Sequence, residues 1–240
     1  MLCAHTQAAR GDSDAEQNTD GRSAALVEQM REAAKAGRVE ELRRLVEAGA
    51  DVRAQDAHGD TALALAACTG QVEAMRVLVE LGADVRAHNT SGNTALHLAA
   101  GKGQVHAMSY LVGMGADMRA RDATGGTALH SAAATGHVGA IQLLVELGAD
   151  IGAQAQLRVT PLHAAAGVGQ MEAVKLLLEL GADADARDST GSTPAMSAAN
   201  LLIEHILTKH QSKLQPSAPR CKPRHHHHKS SYPLCLYLHI

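Results

Sequence analysis

His97, His130 and His163 stand 33 residues apart. Imidazole is the side chain most often used as a general base or a metal ligand. That spacing gives each one its own structural layer, however. Packed helices lie roughly 8–10 Å apart, too far for a shared metal with bonds of about 2 Å. They read as structural rather than catalytic or metal-binding. Lys102 between Gly101 and Gly103 suggests a phosphate loop, but Leu96 stands where that loop needs its first glycine, and Gly103 replaces the Ser or Thr after the lysine. No His-Glu-x-x-His, Gly-x-Ser-x-Gly or Cys-x-x-Cys occurs, so no catalytic residue is assigned. Near the C-terminus Cys221, His225 to His228, Cys235 and His239 could hold zinc or copper. Structural zinc sites use paired short spacings, which these lack, and the tract reads as one that takes up metal adventitiously. No metal or cofactor is assigned.

The charged residues form two ladders. Asp51, Asp84, Asp117, Asp150 and Asp183 follow the expected helix ends, where an Asp bonds backbone in the next turn. Two residues further on stand Arg53, Arg86 and Arg119, then Gly152 and Asp185. Both ladders belong to a larger repeat. Gly-Ala-Asp begins at Gly49, Gly82, Gly115, Gly148 and Gly181, and a Thr recurs at Thr61, Thr94, Thr127, Thr160 and Thr193. A fixed period of this length means a stacked array, because one unit alone cannot bury its apolar face.

The unit reads Gly-x-Thr-Ala/Pro-Leu-His, an Ala-Ala pair, a Gly, an apolar run and Gly-Ala-Asp. Across roughly residues 24–207 it resembles the ankyrin repeat. The resemblance implies an all-α ankyrin-repeat solenoid of helix-turn-helix pairs joined by β-turns. It makes the three histidines partners of the motif Thr and nearby backbone, and it includes the Asp ladder in the motif. It also implies contact through turn tips and inner-helix ends. Here these are Ala57, His58, Asp60 and Thr69; Thr90, Ser91, Asn93 and Lys102; Ala123, Thr124 and Thr135; and Gln156, Leu157 and Val159. Arg53, Arg86, Arg119 and, if the chain is extended there, Arg121 join them as a basic stripe. The outer helices carry acids instead, Glu73, Glu80, Glu146, Glu172 and Glu179 among them.

In chain order, polar residues 1–22 are expected to be disordered. The ankyrin domain covers 23–209. Ser23 caps the first helix of an N-terminal cap unit, 23–55, which Gly37 divides. Full repeats follow at 56–88, 89–121, 122–154 and 155–187. Three open on turns with Asp or Asn and a Gly (DAHGDT, NTSGNT, DATGGT), whereas AQLRVT puts Arg158 in the glycine place. The first full repeat has Ala64 where the others have His. The unit 188–209 is truncated, with one helix over about 194–209 whose face is Ala195, Ala199, Leu202 and Ile206, with Met196, Ile203 and Leu207 beside them. Residues 210–240 form a basic, His-rich tail expected to be disordered.

Composition narrows the function. Apolar residues make up 45% of the chain with no Phe and no Trp, which suits thin helix-on-helix layers of aliphatic side chains. The net charge is −3, yet no acid follows Glu204, so the body is acidic and the tail basic. The four scattered cysteines read as free thiols of a reducing compartment. No apolar run spans a bilayer, and no secretory signal opens the chain. The expectation is a non-enzymatic scaffold or adaptor, monomeric and cytoplasmic with the nucleus open to it. It would bind a protein partner, an acidic segment, on its concave face, and neither nucleic acid nor membrane. The alternative is an inert stack whose basic tail binds metal or nucleic acid. The candidate contacts include no Trp, Tyr or Phe, which points to modest affinity.

Overall fold

The computed structural model describes the backbone of residues 11–214 and the side-chain surroundings of residues 23–211. The expectations for 1–10 and for 215–240, with Cys3, Cys221, His225 to His228, Cys235 and His239, lie outside the described residues. Helices alternate between two layers. The inner layer is α1 (Gly11–Ala36), α3 (Ala62–Thr69), α5 (Ala95–Gly101), α7 (Ala128–Thr135) and α9 (Pro161–Val168). The outer layer is α2 (Val39–Glu47), α4 (Val72–Glu80), α6 (Val105–Gly113), α8 (Val138–Glu146), α10 (Met171–Glu179) and α11 (Leu201–Leu214). Each inner helix packs on the next inner helix and on its own outer partner, giving a linear stack.

One buried position per layer repeats along the chain. Leu63, Leu96, Leu129 and Leu162 fill the inner layer, while Leu42, Met75, Met108, Ile141, Val174 and Leu207 fill the outer one. Burying each such side chain contributes about 1.5–3 kcal/mol before ordering costs. Ala66-Ala67, Ala99-Ala100, Ala132-Ala133 and Ala165-Ala166 are fully buried between inner helices, where only a methyl fits at close approach. The inner helices α3, α5, α7 and α9 start at a threonine in extended conformation. Pro161 takes the first position of α9, where no helical amide partner is lost.

The three histidines clip α5, α7 and α9 each to two turns. The Thr127 amide donates to His130 Nδ1 at 3.1 Å, which makes Nδ1 an acceptor. The proton therefore sits on Nε2, which donates to the Val159 carbonyl of the next unit at 3.1 Å. His97 reaches the Gly126 carbonyl at 3.3 Å and His163 the Ser192 carbonyl at 3.1 Å in the same way. Ala64 offers only its amide, to Thr61 Oγ1 at 3.2 Å, so the first full repeat lacks this tie to its neighbour.

Two boundaries differ from expectation. α1 begins at Gly11, so Ser23 lies inside it and does not cap it. Residues 11–22 contain no proline, and the chain has no chemical stop before the packed turns of Leu26 to Ala34. At the other end, 194–200 is a turn and the helix runs Leu201–Leu214, beyond the expected 209. The cause is Asn200, whose Oδ1 accepts the Ile203 amide at 2.9 Å and starts α11 as an N-cap. The buried face is Ile203 and Leu207, while Met196 and Leu202 are exposed. The expected face through Ala199 and Leu202 does not form.

The fourth turn keeps the hydrogen bonds of the others without their glycine. The Ala155 amide donates to the Val159 carbonyl at 2.8 Å, and the Arg158 amide to the Ala155 carbonyl at 3.1 Å. Leu157 and Arg158 both take positive φ, 58° and 59°. A side chain in the left-handed region costs about 1–2 kcal/mol. Arg158→Gly is therefore expected to stabilise the protein by about 0.5–1 kcal/mol, glycine's own entropy offsetting part of the gain. Thermal unfolding checks this, and a lowered Tm would show that the arginine side chain contributes more than its backbone costs.

Candidate functional site

The turn tips form a continuous hydrogen-bonded row. Amides of Thr90, Ala123, Gln156 and Ser189 donate to the carbonyls of His58, Ser91, Thr124 and Leu157 in the preceding turn, at 2.9, 2.9, 2.8 and 2.7 Å. In every turn but the fourth a carboxylate or amide oxygen closes the loop. Asp122 Oδ1, for example, accepts the Thr124 and Gly126 amides at 2.8 and 2.9 Å. Burial pushes the Asp122 carboxyl up, but these bonds and one from the Thr124 hydroxyl outweigh it and leave the group below its usual range. Asp56 is likewise raised by burial and lowered further by the Asp60 and His58 amides. The fourth turn has Ala155 at this position and no such acceptor.

The row sorts the candidate contact residues. Thr90 Oγ1 donates to the His58 carbonyl at 2.8 Å, and Gln156 Nε2 to the Ala123 carbonyl at 2.9 Å. Asp60 accepts from Asn89 Nδ2 at 2.9 Å, and the Thr124 hydroxyl donates to Asp122 at 2.7 Å. The first three join neighbouring turns, and the fourth closes its own turn. Thr69 and Thr135 donate to carbonyls of their own helices, Leu65 at 3.1 Å and Ser131 at 2.8 Å. Ala57, His58, Ser91, Lys102, Ala123 and Leu157 are exposed, while Asn93 and Val159 are half-buried.

Beside the turns, the loops after the outer helices carry both charged ladders. Asp51, Asp84, Asp117, Asp150 and Asp183 each accept the amide two residues on, at 2.8–2.9 Å. This is the local backbone role expected of them. The arginines are exposed. Arg53 and Arg86 line one concavity with Asp84, Met114 and Gly115. Arg86 and Arg121 line a second, and Arg119 and Arg121 a third with Met118 and Asp150. The structure thus joins the four arginines through shared hollows along one edge. They are not equivalent. Arg53 Nε donates to the Gly82 carbonyl at 3.0 Å, and Arg121 Nη1 to the Gly125 and Gln154 carbonyls at 2.7 and 2.5 Å. Arg121 therefore props its turn, as Arg187 does at the Gly191 carbonyl, 2.7 Å away. Among the described residues Arg86 and Arg119 make no ion pair.

On the opposite side the outer-helix acids are largely exposed, and several are paired. Arg43 meets Glu80 at 3.1 Å across α2 and α4, and Lys175 meets Glu172 at 2.8 Å. Arg76 sits 5.6 Å over the Tyr110 ring, tying α4 to α6. Two groups escaped sequence reasoning. Arg187 is one. The other is Gln71, Gln104, His137 and Gln170, whose side chains cover the glycines ending the preceding inner helices. Gln104 Nε2 also donates to the Cys68 carbonyl at 3.4 Å and Gln170 Nε2 to the Ala134 carbonyl at 3.3 Å. Their common 33-residue step was a signal available in the sequence.

Among the described residues no group of His, Cys, Asp or Glu gathers to hold a metal, and no described helix is long and apolar enough to cross a membrane. No curated protein matches the chain. A family model described as ankyrin repeats (3 copies) matches residues 9–89, 81–155 and 147–213. With that match and a helical stack whose threonine, histidine and Gly-Ala-Asp positions recur in register, the chain belongs to the ankyrin-repeat family, whose repeats are generally protein–protein interaction modules.

Proposed function

We propose that the protein is a non-enzymatic scaffold or adaptor that binds a partner protein along the turn-and-loop edge of its stack. The observation that carries this reading is the row of Arg53, Arg86, Arg121 and Arg119 around shared hollows. It lies beside a turn row held rigid by interlocking amides. Rigid presentation lowers the ordering cost of binding. The partner is an acidic protein segment, steered by the unpaired guanidiniums of Arg86 and Arg119. Isolated pairing of each arginine with solvent and its neighbouring Asp would contribute little to the free protein. Without an aromatic side chain in the row, affinity is modest. The protein works as a monomer in the cytoplasm, with the nucleus open to it, and uses neither nucleic acid nor membrane.

The test is association kinetics of the wild type and of a variant combining Arg53→Ser, Arg86→Ser and Arg119→Ser, across a salt series. Arg121 is left in place because it props a turn. Wild-type association slows as salt rises, and the variant is about tenfold slower at low salt and less salt-sensitive. Equal rates at low salt would leave the row a merely solvated edge.

A further inference from the structure

The end of the stack carries a concentration of exposed apolar side chains. Val168, Met196, Leu201 and Leu202 are 59%, 72%, 82% and 52% exposed. They flank one junction, where the Ala199 amide donates to the Ala166 carbonyl at 2.9 Å and Ala199 lies against Gly169. The position at the inner-helix end reads Thr69, Lys102, Thr135 and Val168 from unit to unit, and Leu201, the first residue of α11, follows in the same 33-residue register, so the register turns from polar to apolar only at this end. Single exposed apolar residues mean little, whereas a contiguous group marks a docking surface.

We infer that this patch is the docking site of the chain's own segment Tyr232–Ile240, which lies outside the described residues. The described chain stops at Leu214, the end of the helix that begins in the patch. Residues 215–231 reach up to about 55 Å when extended, ample for a return. Tyr232, Leu234, Leu236, Tyr237, Leu238 and Ile240 are the densest apolar group beyond the repeats, and they include two of the chain's three tyrosines. Tethering makes the encounter intramolecular, so modest contact area suffices. The inference stands apart from the basic row and does not depend on it.

Hydrogen exchange on the full chain tests it, comparing the wild type with Leu201→Glu and with the pair Leu236→Glu and Leu238→Glu. Leu201 is exposed, so its change leaves the fold intact, as far-UV circular dichroism checks. In the wild type, amides of 232–240 exchange about tenfold slower than in the free nonapeptide. In both variants that protection is lost, and binding of an apolar dye rises. Free-peptide exchange rates in the wild type overturn the proposal. So does protection that appears only as protein concentration and the dimer fraction in sedimentation rise, because a second copy would then cover the patch.

Discussion

His130→Ala is expected to destabilise the stack by about 3 kcal/mol. The substitution takes away the acceptor of the buried Thr127 amide and the donor to the Val159 carbonyl. The carbonyl keeps a second partner, the Ala155 amide, but the Thr127 amide is left unpaired, which costs about 1–3 kcal/mol. The lost imidazole volume adds a cavity between two units. Urea unfolding followed by circular dichroism measures the loss, and a change below about 1 kcal/mol would show the tie to be dispensable. The same group sets a pH dependence. Burial holds His97 and His130 below the ordinary value of 6.5, and protonation of Nδ1 would set a hydrogen against the threonine amide. The unfolded chain therefore takes up protons first as pH falls. Stability is full above about 6.5 and declines as pH drops through the lower folded-state value. His130→Ala removes one of these groups, so its decline over that window is shallower. Parallel curves for the two proteins would contradict the assignment.

Gly92→Ala is expected to cost about 2–3 kcal/mol, and Gly82→Ala only about 1 kcal/mol. Both glycines have positive φ, +74° and +95°. A Cβ at Gly92 would lie 2.7 Å from the Ala123 amide nitrogen and 3.0 Å from the Asp122 carbonyl carbon, both rigid backbone, while one at Gly82 meets nothing within 4 Å. The first change pushes apart two stacked turns and the bond from the Ala123 amide to the Ser91 carbonyl. The second adds only dihedral strain. Faster hydrogen exchange at Ala123 in Gly92→Ala, with little change there in Gly82→Ala, is the expected pattern. Equal losses of stability would mean that turn stacking contributes little.

The repeat was legible because stacking forces register. Each buried ladder, the histidine ties and the aspartate turns rest on bonds within a unit or to the same place in the next one. A single spacing therefore determines them all. Apart from Gln71, Gln104, His137 and Gln170, which keep the 33-residue step, the misses fall where that regularity lapses. Asn200 uses its side chain to start α11, and no apolar periodicity reports such a competition between side chain and backbone. The strain at the fourth turn was visible at Arg158, but its sharing with Leu157 depends on how the turn accommodates a side chain in the glycine place. Within the candidate edge, the sequence placed Arg53, Arg86 and Arg119 in one row, with Arg121 beside them only for an extended chain. It did not distinguish Arg86 and Arg119 from Arg121, because Arg121's bond to Gln154 crosses to the next repeat.

A photo-crosslinking amino acid placed in turn at Ser91, on an exposed turn tip, and at Gln142, on the exposed face of α8, tests the partner surface most directly. In cells expressing each variant, the Ser91 position is predicted to capture a discrete protein adduct that weakens when Arg86 and Arg119 are changed to Ser. The Gln142 position is predicted to capture none. Adducts formed at Gln142 and absent at Ser91 would place the partner on the outer helices and contradict the proposed turn-and-loop surface.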